Sequence, residues 1–216
     1  MKILGLFACA LIASVANYAV PASADNENAD WPFAGADLHN TANAAKEHRL
    51  GPGNVGKLAV KWIFDTVGFV SATPAVVDGA LYVTDWGVGE EGGYIYKIDA
   101  AKGTLIWQHK ISEFTGNPNS VSRNTPAVHG NFVVFGDQAP PATVIAIDTG
   151  GNFIWKTVVD NHFLGSVTQS PVIYQDEDRH KQGKVFVGTA SRLEEGWSRT
   201  NPGYIRTFRG SINAPR

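Results

Sequence analysis

Residues 71–85, SATPAVVDGALYVTD, hold a complete hairpin. Ala75-Val76-Val77 and Ala80-Leu81-Tyr82-Val83-Thr84 are two β-rich runs, and Asp78-Gly79 between them is a strong short-range signal for a two-residue turn. The pattern returns as RNTPAVHGNFVVFGD from Arg123 and as TQSPVIYQDEDRHKQGKVFVGTA from Thr168. Its anchoring prolines, Pro74, Pro126 and Pro171, lie 52 and 45 residues apart. Short strands repeating every ~40–50 residues are the signature of β-propeller blades.

Each repeat extends beyond its hairpin. Tyr94–Asp99 reads as a third strand, Lys102-Gly103 as a turn and Thr104–His109 as a fourth strand. The second repeat gives Thr125–Val128, a turn at His129-Gly130, then Phe132–Phe135, Val144–Asp148 and Phe153–Lys156. The third gives Ser170–Tyr174 and Lys184–Gly188, with a third strand expected to start at Phe208 and run to Ile212. Trp62, Trp107 and Trp155, spaced 45 and 48 residues apart, share a fourth-strand context and are expected to pack between neighbouring blades. The expected organisation is an N-terminal segment, 25–70, that carries a ring-closing strand, followed by a partial propeller, 71–212. Its blades are 71–111, 123–159 and a truncated 168–212. The fold class is all-β, an incomplete ring whose apolar edge would favour self-association.

Charged residues make up 18% of the chain and the formal net charge is −2, which gives no basis for binding nucleic acid. Lys2, the uncharged apolar run Ile3–Ala16 and Ala22-Ser23-Ala24 read as a signal peptide, 1–24, cleaved before Asp25. The run is shorter than the ~20 residues of a membrane span, so the chain is read as periplasmic or secreted. Leu6-Phe7-Ala8-Cys9 faintly matches a lipoprotein box, after an apolar stretch too short to favour it. Cys9 is the single cysteine, so the mature chain has no disulfide to rely on.

Propeller geometry brings the start of each first strand and the end of each second strand to one face near the axis. There the sequence places Ser71, Arg123 and Thr168, each three residues before its proline. Beside them come Asp85-Trp86, Asp137-Gln138 and Thr189-Ala190-Ser191, with Glu194 and Glu195 in the following loop. Arg123 suits a carboxylate and Glu194 a hard cation. Equally, Arg123 could be solvated or pair with Asp137, Asp85 and Asp137 could cap turns, and the two glutamates could form an exposed acidic loop. The six histidines show no metal spacing, and no Ser-His-Asp order, P-loop or dinucleotide fingerprint is present.

Trp31-Pro32-Phe33-Ala34-Gly35-Ala36-Asp37-Leu38-His39-Asn40-Thr41, together with Asn54-Val55-Gly56-Lys57-Leu58 and Val60-Lys61-Trp62, resembles the opening of quinoprotein alcohol dehydrogenases. VSATPAV, SRNTPAVHG, FGDQ and TFRGS are similar to the polyvinyl-alcohol dehydrogenase branch, and the resemblance covers most of 31–212. It implies an eight-bladed propeller, of which about three blades are here, holding pyrroloquinoline quinone (PQQ) and Ca2+. By position, Arg123, Thr168 and Ser191 resemble cofactor-binding residues. Ser71 does so more weakly, since many members have glutamate there. Glu194 resembles a calcium ligand, with Glu195 as the alternative. The family's adjacent cysteine pair is absent. The resemblance further implies an alcohol substrate, hydride transfer to the quinone with an aspartate taking the alcohol proton, and a cytochrome c acceptor. The catalytic aspartate is expected beyond residue 216, so this chain alone is expected to be inactive. With no C-x-x-C-H it carries no haem. The competing expectation is a non-enzymatic scaffold that binds protein partners in the cell envelope.

Overall fold

The computed structural model describes residues 30–175, 183–191 and 204–209. Blade one is β1 (Ala75–Val77), β2 (Ala80–Thr84), β3 (Tyr94–Asp99) and β4 (Leu105–Lys110), paired in sequence order. A five-residue helix, α1 (Ile111–Thr115), leads to blade two: β5 (Ala127–His129), β6 (Phe132–Asp137), β7 (Ala142–Asp148) and β8 (Phe153–Asp160). In the third sheet a short β9 (Gly165–Ser166) joins β10 (Val172–Tyr174), β11 (Lys184–Ser191) and β12 (Tyr204–Arg209). Antiparallel sheets in consecutive order make this part of an all-β propeller.

The β1–β2 turn follows from its residues. Asp78 and Gly79 have φ of 51° and 71° and close the pair Val77↔Ala80, a geometry that aspartate tolerates and glycine adopts freely. In blade two the turn is Gly130-Asn131, closing His129↔Phe132, one residue later than the expected His129-Gly130. The first strands begin later than expected, at Ala127 and Val172 rather than Thr125 and Ser170. Pro126 and Pro171 have no N–H to give the ladder, so pairing starts after them. The third strand of the third repeat is corrected from 208–212 to 204–209. Its register runs from Lys184↔Arg209 to Thr189↔Tyr204, fixed by the length of β11. Residues 210–212 of the expected strand lie outside the described residues.

Two cores lie between the blades. Tyr82 and Ile95 of blade one meet Val133, Phe135, Ile145 and Ile147 of blade two. Val134, Val144 and Ala146, on the opposite face of blade two, meet Ile173, Val185 and Val187. Blade two is therefore buried on both faces, which is why its middle strands read as unbroken apolar runs. Each of the Val, Ile and Phe side chains among them contributes about 1.5–3 kcal/mol by leaving water.

The tryptophans repeat one contact. Trp107 Nε1 donates to Thr149 O at 3.1 Å, in the outer turn of the next blade. Trp62 Nε1 donates to Ala100 O at 3.0 Å, in the outer turn of blade one. Trp62 thus occupies the place of a fourth-strand tryptophan of a preceding blade, with Phe64 packed beside it on Tyr96 at 5.8 Å. Exposure alternates with period two along 61–67, as for an extended chain lying on blade one, although no strand is formed there among the described residues. Gly103 (φ 70°) would place a Cβ 2.5 Å from the Trp62 ring, whereas Gly79 (φ 71°) has open space. Gly103→Ala is therefore expected to lower stability by about 3 kcal/mol and Gly79→Ala by about 1. Urea unfolding of the two variants measures the difference; equal losses would show that Trp62 is not docked there.

Candidate functional site at the channel mouth

Backbone hydrogen bonds make three positions equivalent. Trp86 N donates to Phe69 O at 3.0 Å and Gln138 N to Val121 O at 2.8 Å, while Ala190 pairs with Ser166. Ser122 N donates to Asp85 O at 3.2 Å and Val167 N to Asp137 O at 3.1 Å. The residues that follow Ser122 and Val167 are Arg123 and Thr168. Ser71, two residues beyond Phe69, takes the same place in blade one. The structure thus brings Ser71, Arg123 and Thr168 to matching positions where the first strands of successive blades begin. The backbone of Ser191 pairs with Gly165 at the end of β11, three residues before Thr168. Glu194 and Glu195 lie outside the described residues.

The two aspartates hold the mouth together. Buried Asp85 accepts from Gly87 N (3.0 Å), Tyr94 N (2.7 Å), Gly68 N (2.8 Å) and the Tyr96 hydroxyl (2.6 Å). Burial, then the bond to Asp85, push the Tyr96 phenol well above its usual range, so it remains a donor. Asp137 accepts from Ser120 Oγ (2.6 Å), Val121 N (3.2 Å) and Ala139 N (2.9 Å). In blades one and two a carboxylate at the end of the second strand satisfies backbone donors of the loops around it, so the capping role open in the sequence is one that these two residues fill. In the third repeat Thr189 stands at that position.

Arg123 sits on a braced frame. Asn124, 1% exposed, accepts from Gly136 N (2.7 Å) and Ser122 Oγ (2.9 Å) and donates from Nδ2 to Val167 O (2.9 Å). Thr84 Oγ1 donates to its carbonyl at 2.9 Å. One side chain and its backbone therefore tie all three repeats together beside Arg123. The guanidinium lies 5.1 Å from the centre of the Trp86 ring, within cation–π range. Trp86 Nε1 donates to Ser71 Oγ at 2.7 Å. The Gln138 amide oxygen is buried with no hydrogen-bond partner among the described residues. A guanidinium and two hydroxyl-bearing side chains are donors that fit an oxygen-rich, polycarboxylate molecule, whereas the buried Gln138 oxygen, an acceptor, offers nothing to a carboxylate. Among the described residues no group of three or more His, Cys, Asp or Glu side chains could hold a metal ion.

Sequence reasoning missed two features. The opening motif lies along the first strands of blades one and two: Trp31 bridges Val76 of β1, and Val128 N donates to Pro32 O at 3.0 Å. Its Asp37 accepts from His39 N, Thr41 N and Thr41 Oγ1, and the Thr41 contacts hold that carboxyl below its ordinary range. A cavity of about 340 Å³ lies between this turn and Gln169, Ser170 and Val172. The second feature is the Ser71–Trp86–Arg123 contact. Its one signal was a tryptophan after the aspartate in the first repeat alone.

The chain is similar to curated alcohol dehydrogenases. It is 26% identical over 184 residues to a polyvinylalcohol dehydrogenase of Pseudomonas sp, matching 85% of this chain and 27% of that protein. It is 28% identical over 173 residues to a quinohemoprotein alcohol dehydrogenase of Comamonas testosteroni, matching 74% and 22%. The crystal structure of quinohemoprotein alcohol dehydrogenase from Comamonas testosteroni superimposes with a TM-score of 0.60 at 26% identity, over 83% of this chain and 25% of that one. The chain thus spans about a quarter of the length of these relatives. Residues 57–213 match the family described as outer membrane protein assembly factor BamB, whose short name, PQQ_2, marks the quinoprotein repeat. With that match over most of its length, the chain belongs to this family of PQQ-type propeller repeats.

Proposed function

We propose that this chain forms one part of the propeller of a periplasmic, PQQ- and Ca2+-dependent alcohol dehydrogenase of the polyvinyl-alcohol dehydrogenase kind, which passes electrons to a cytochrome. The observation that carries the reading is Arg123, held on Trp86 and braced by Asn124, at the mouth position that it shares with Ser71 and Thr168. Arg123 would hold a carboxylate of the quinone, with Thr168, Ser191 and Ser71 offering hydroxyls around it. Glu194, or Glu195, would supply carboxylate oxygen to the calcium. When bound, the quinone supplies the two-electron acceptor for alcohol oxidation. The chain's own residues bind and orient it; the base that takes the alcohol proton is expected from further blades.

Two results test this reading together. The purified chain with PQQ and Ca2+ is expected to bind the quinone and to oxidise no secondary alcohol, and turnover would sink the placement of the catalytic base outside it. Glu194→Gln is expected to abolish the dependence of quinone affinity on Ca2+, with Glu195→Gln leaving it intact. The reverse result reassigns the ligand to Glu195, and an unchanged dependence in both variants removes calcium from this loop. The second reading, a scaffold for protein partners, is favoured by the description of the matched family. It predicts no saturable quinone binding at all.

A further inference from the structure

We infer that Trp86 is a positioning residue that presents the Arg123 guanidinium, in a fixed plane, to a carboxylate-bearing ligand at the channel mouth. The inference rests on the cofactor-site reading above and gives Trp86, which that reading names only as a contact of Arg123, a role in orienting the guanidinium.

The indole is fixed at both ends. Its backbone follows Asp85, whose carboxylate accepts four hydrogen bonds, and its N–H donates to Phe69 O. Its ring nitrogen donates to Ser71 Oγ at 2.7 Å, which sets the rotation of the ring. Arg123 hangs from the same support, because Ser122 N, one residue before it, donates to Asp85 O. A guanidinium over an indole face uses its flat face for the stack and its edge for hydrogen bonds, so stacking and carboxylate binding are compatible.

The repeats provide an internal comparison. The positions equivalent to Trp86 are Gln138 and Ala190, and those equivalent to Arg123 are Ser71 and Thr168. The aromatic ring occurs at the one strand end that faces the arginine. Ser71 then has a role of its own here, as the acceptor that orients the indole.

PQQ itself is the probe, followed by equilibrium binding to the full chain in Ca2+. Trp86→Leu is expected to weaken binding about tenfold, and Trp86→Phe, which keeps an aromatic face, to recover most of that loss. In an Arg123→Ala background Trp86→Leu is expected to cause no further loss, since its effect runs through the guanidinium. Undiminished binding by Trp86→Leu, or an equal loss in both backgrounds, overturns the proposal. The Arg123 Hε resonance of the ligand-free chain decides the stack without the quinone. It is expected upfield in the wild type and shifted back in Trp86→Leu; the same position in both overturns the stack. If the wild type binds no quinone, the cofactor reading fails, and the resonance alone decides whether Trp86 orients Arg123.

Discussion

Asp85→Ala is expected to lower the stability of the chain by about 4 kcal/mol, the largest effect of any single change considered. Four donors converge on this carboxylate from Gly68, Gly87, Tyr94 and Tyr96, and its own exposure is 0%. Hydrogen bonds to a charged group each contribute about 1.5–3 kcal/mol net, and donors left buried without partners cost about 1–3 each. These contributions do not add fully, because the loops relax once the carboxylate is gone. The loss would still be a large fraction of the ~5–15 kcal/mol typical of a folded domain. Asp85→Asn is a sharper probe, since it keeps the shape but turns an amide N–H2 toward donors. Urea unfolding measures both variants, and a loss under ~1 kcal/mol would show that the donors find other partners. Asp137→Ala removes the acceptor of the Ser120, Val121 and Ala139 bonds and is expected to cost less.

Arg123→Ala is expected to weaken quinone binding by about 2 kcal/mol or more, which is roughly 30-fold. A charge-assisted bond to a carboxylate in a partly desolvated setting is worth that much, and Arg123 is half-buried against Trp86. The fold should be little affected, because Asn124, Ser122 and Asp85 tie the repeats together without the guanidinium. Arg123→Lys is expected to recover only part of the affinity. It keeps the charge but lacks the flat fork that both stacks on the indole and pairs with two oxygens. Isothermal titration with PQQ and Ca2+ checks the series. Equal affinities for the wild type and the Arg123→Ala variant would remove this residue from the site.

Much of this architecture was legible because it is local. Asp78-Gly79 between two β-rich runs specifies its own hairpin, and the repeat period carries that hairpin round to the next blade. The runs 132–135 and 144–147 were legible as strands, and the structure covers them on both faces. What escaped is set over longer distances. The register of β12 depends on pairing with β11, which twelve residues separate from it in the chain, so the strand expected from Phe208 was placed four residues too late. Trp31 joins the inner edge of β1 from 45 residues away, with no periodicity to announce it. The position of Arg123 was readable from the repeat, but its cation–π contact with Trp86 was not. A tryptophan and an arginine 37 residues apart show no pattern until the two loops are placed side by side. The aspartates show the opposite case: local turn chemistry was the plainer reading of Asp85 and Asp137, and their hydrogen bonds bear it out.

Titrating the purified chain with PQQ in Ca2+, followed by quenching of tryptophan fluorescence, tests the central claim most directly. The account predicts saturable one-to-one binding that Arg123→Ala weakens about 30-fold. No saturable quenching, or the same affinity in the Arg123→Ala variant, would contradict a quinone site at this mouth.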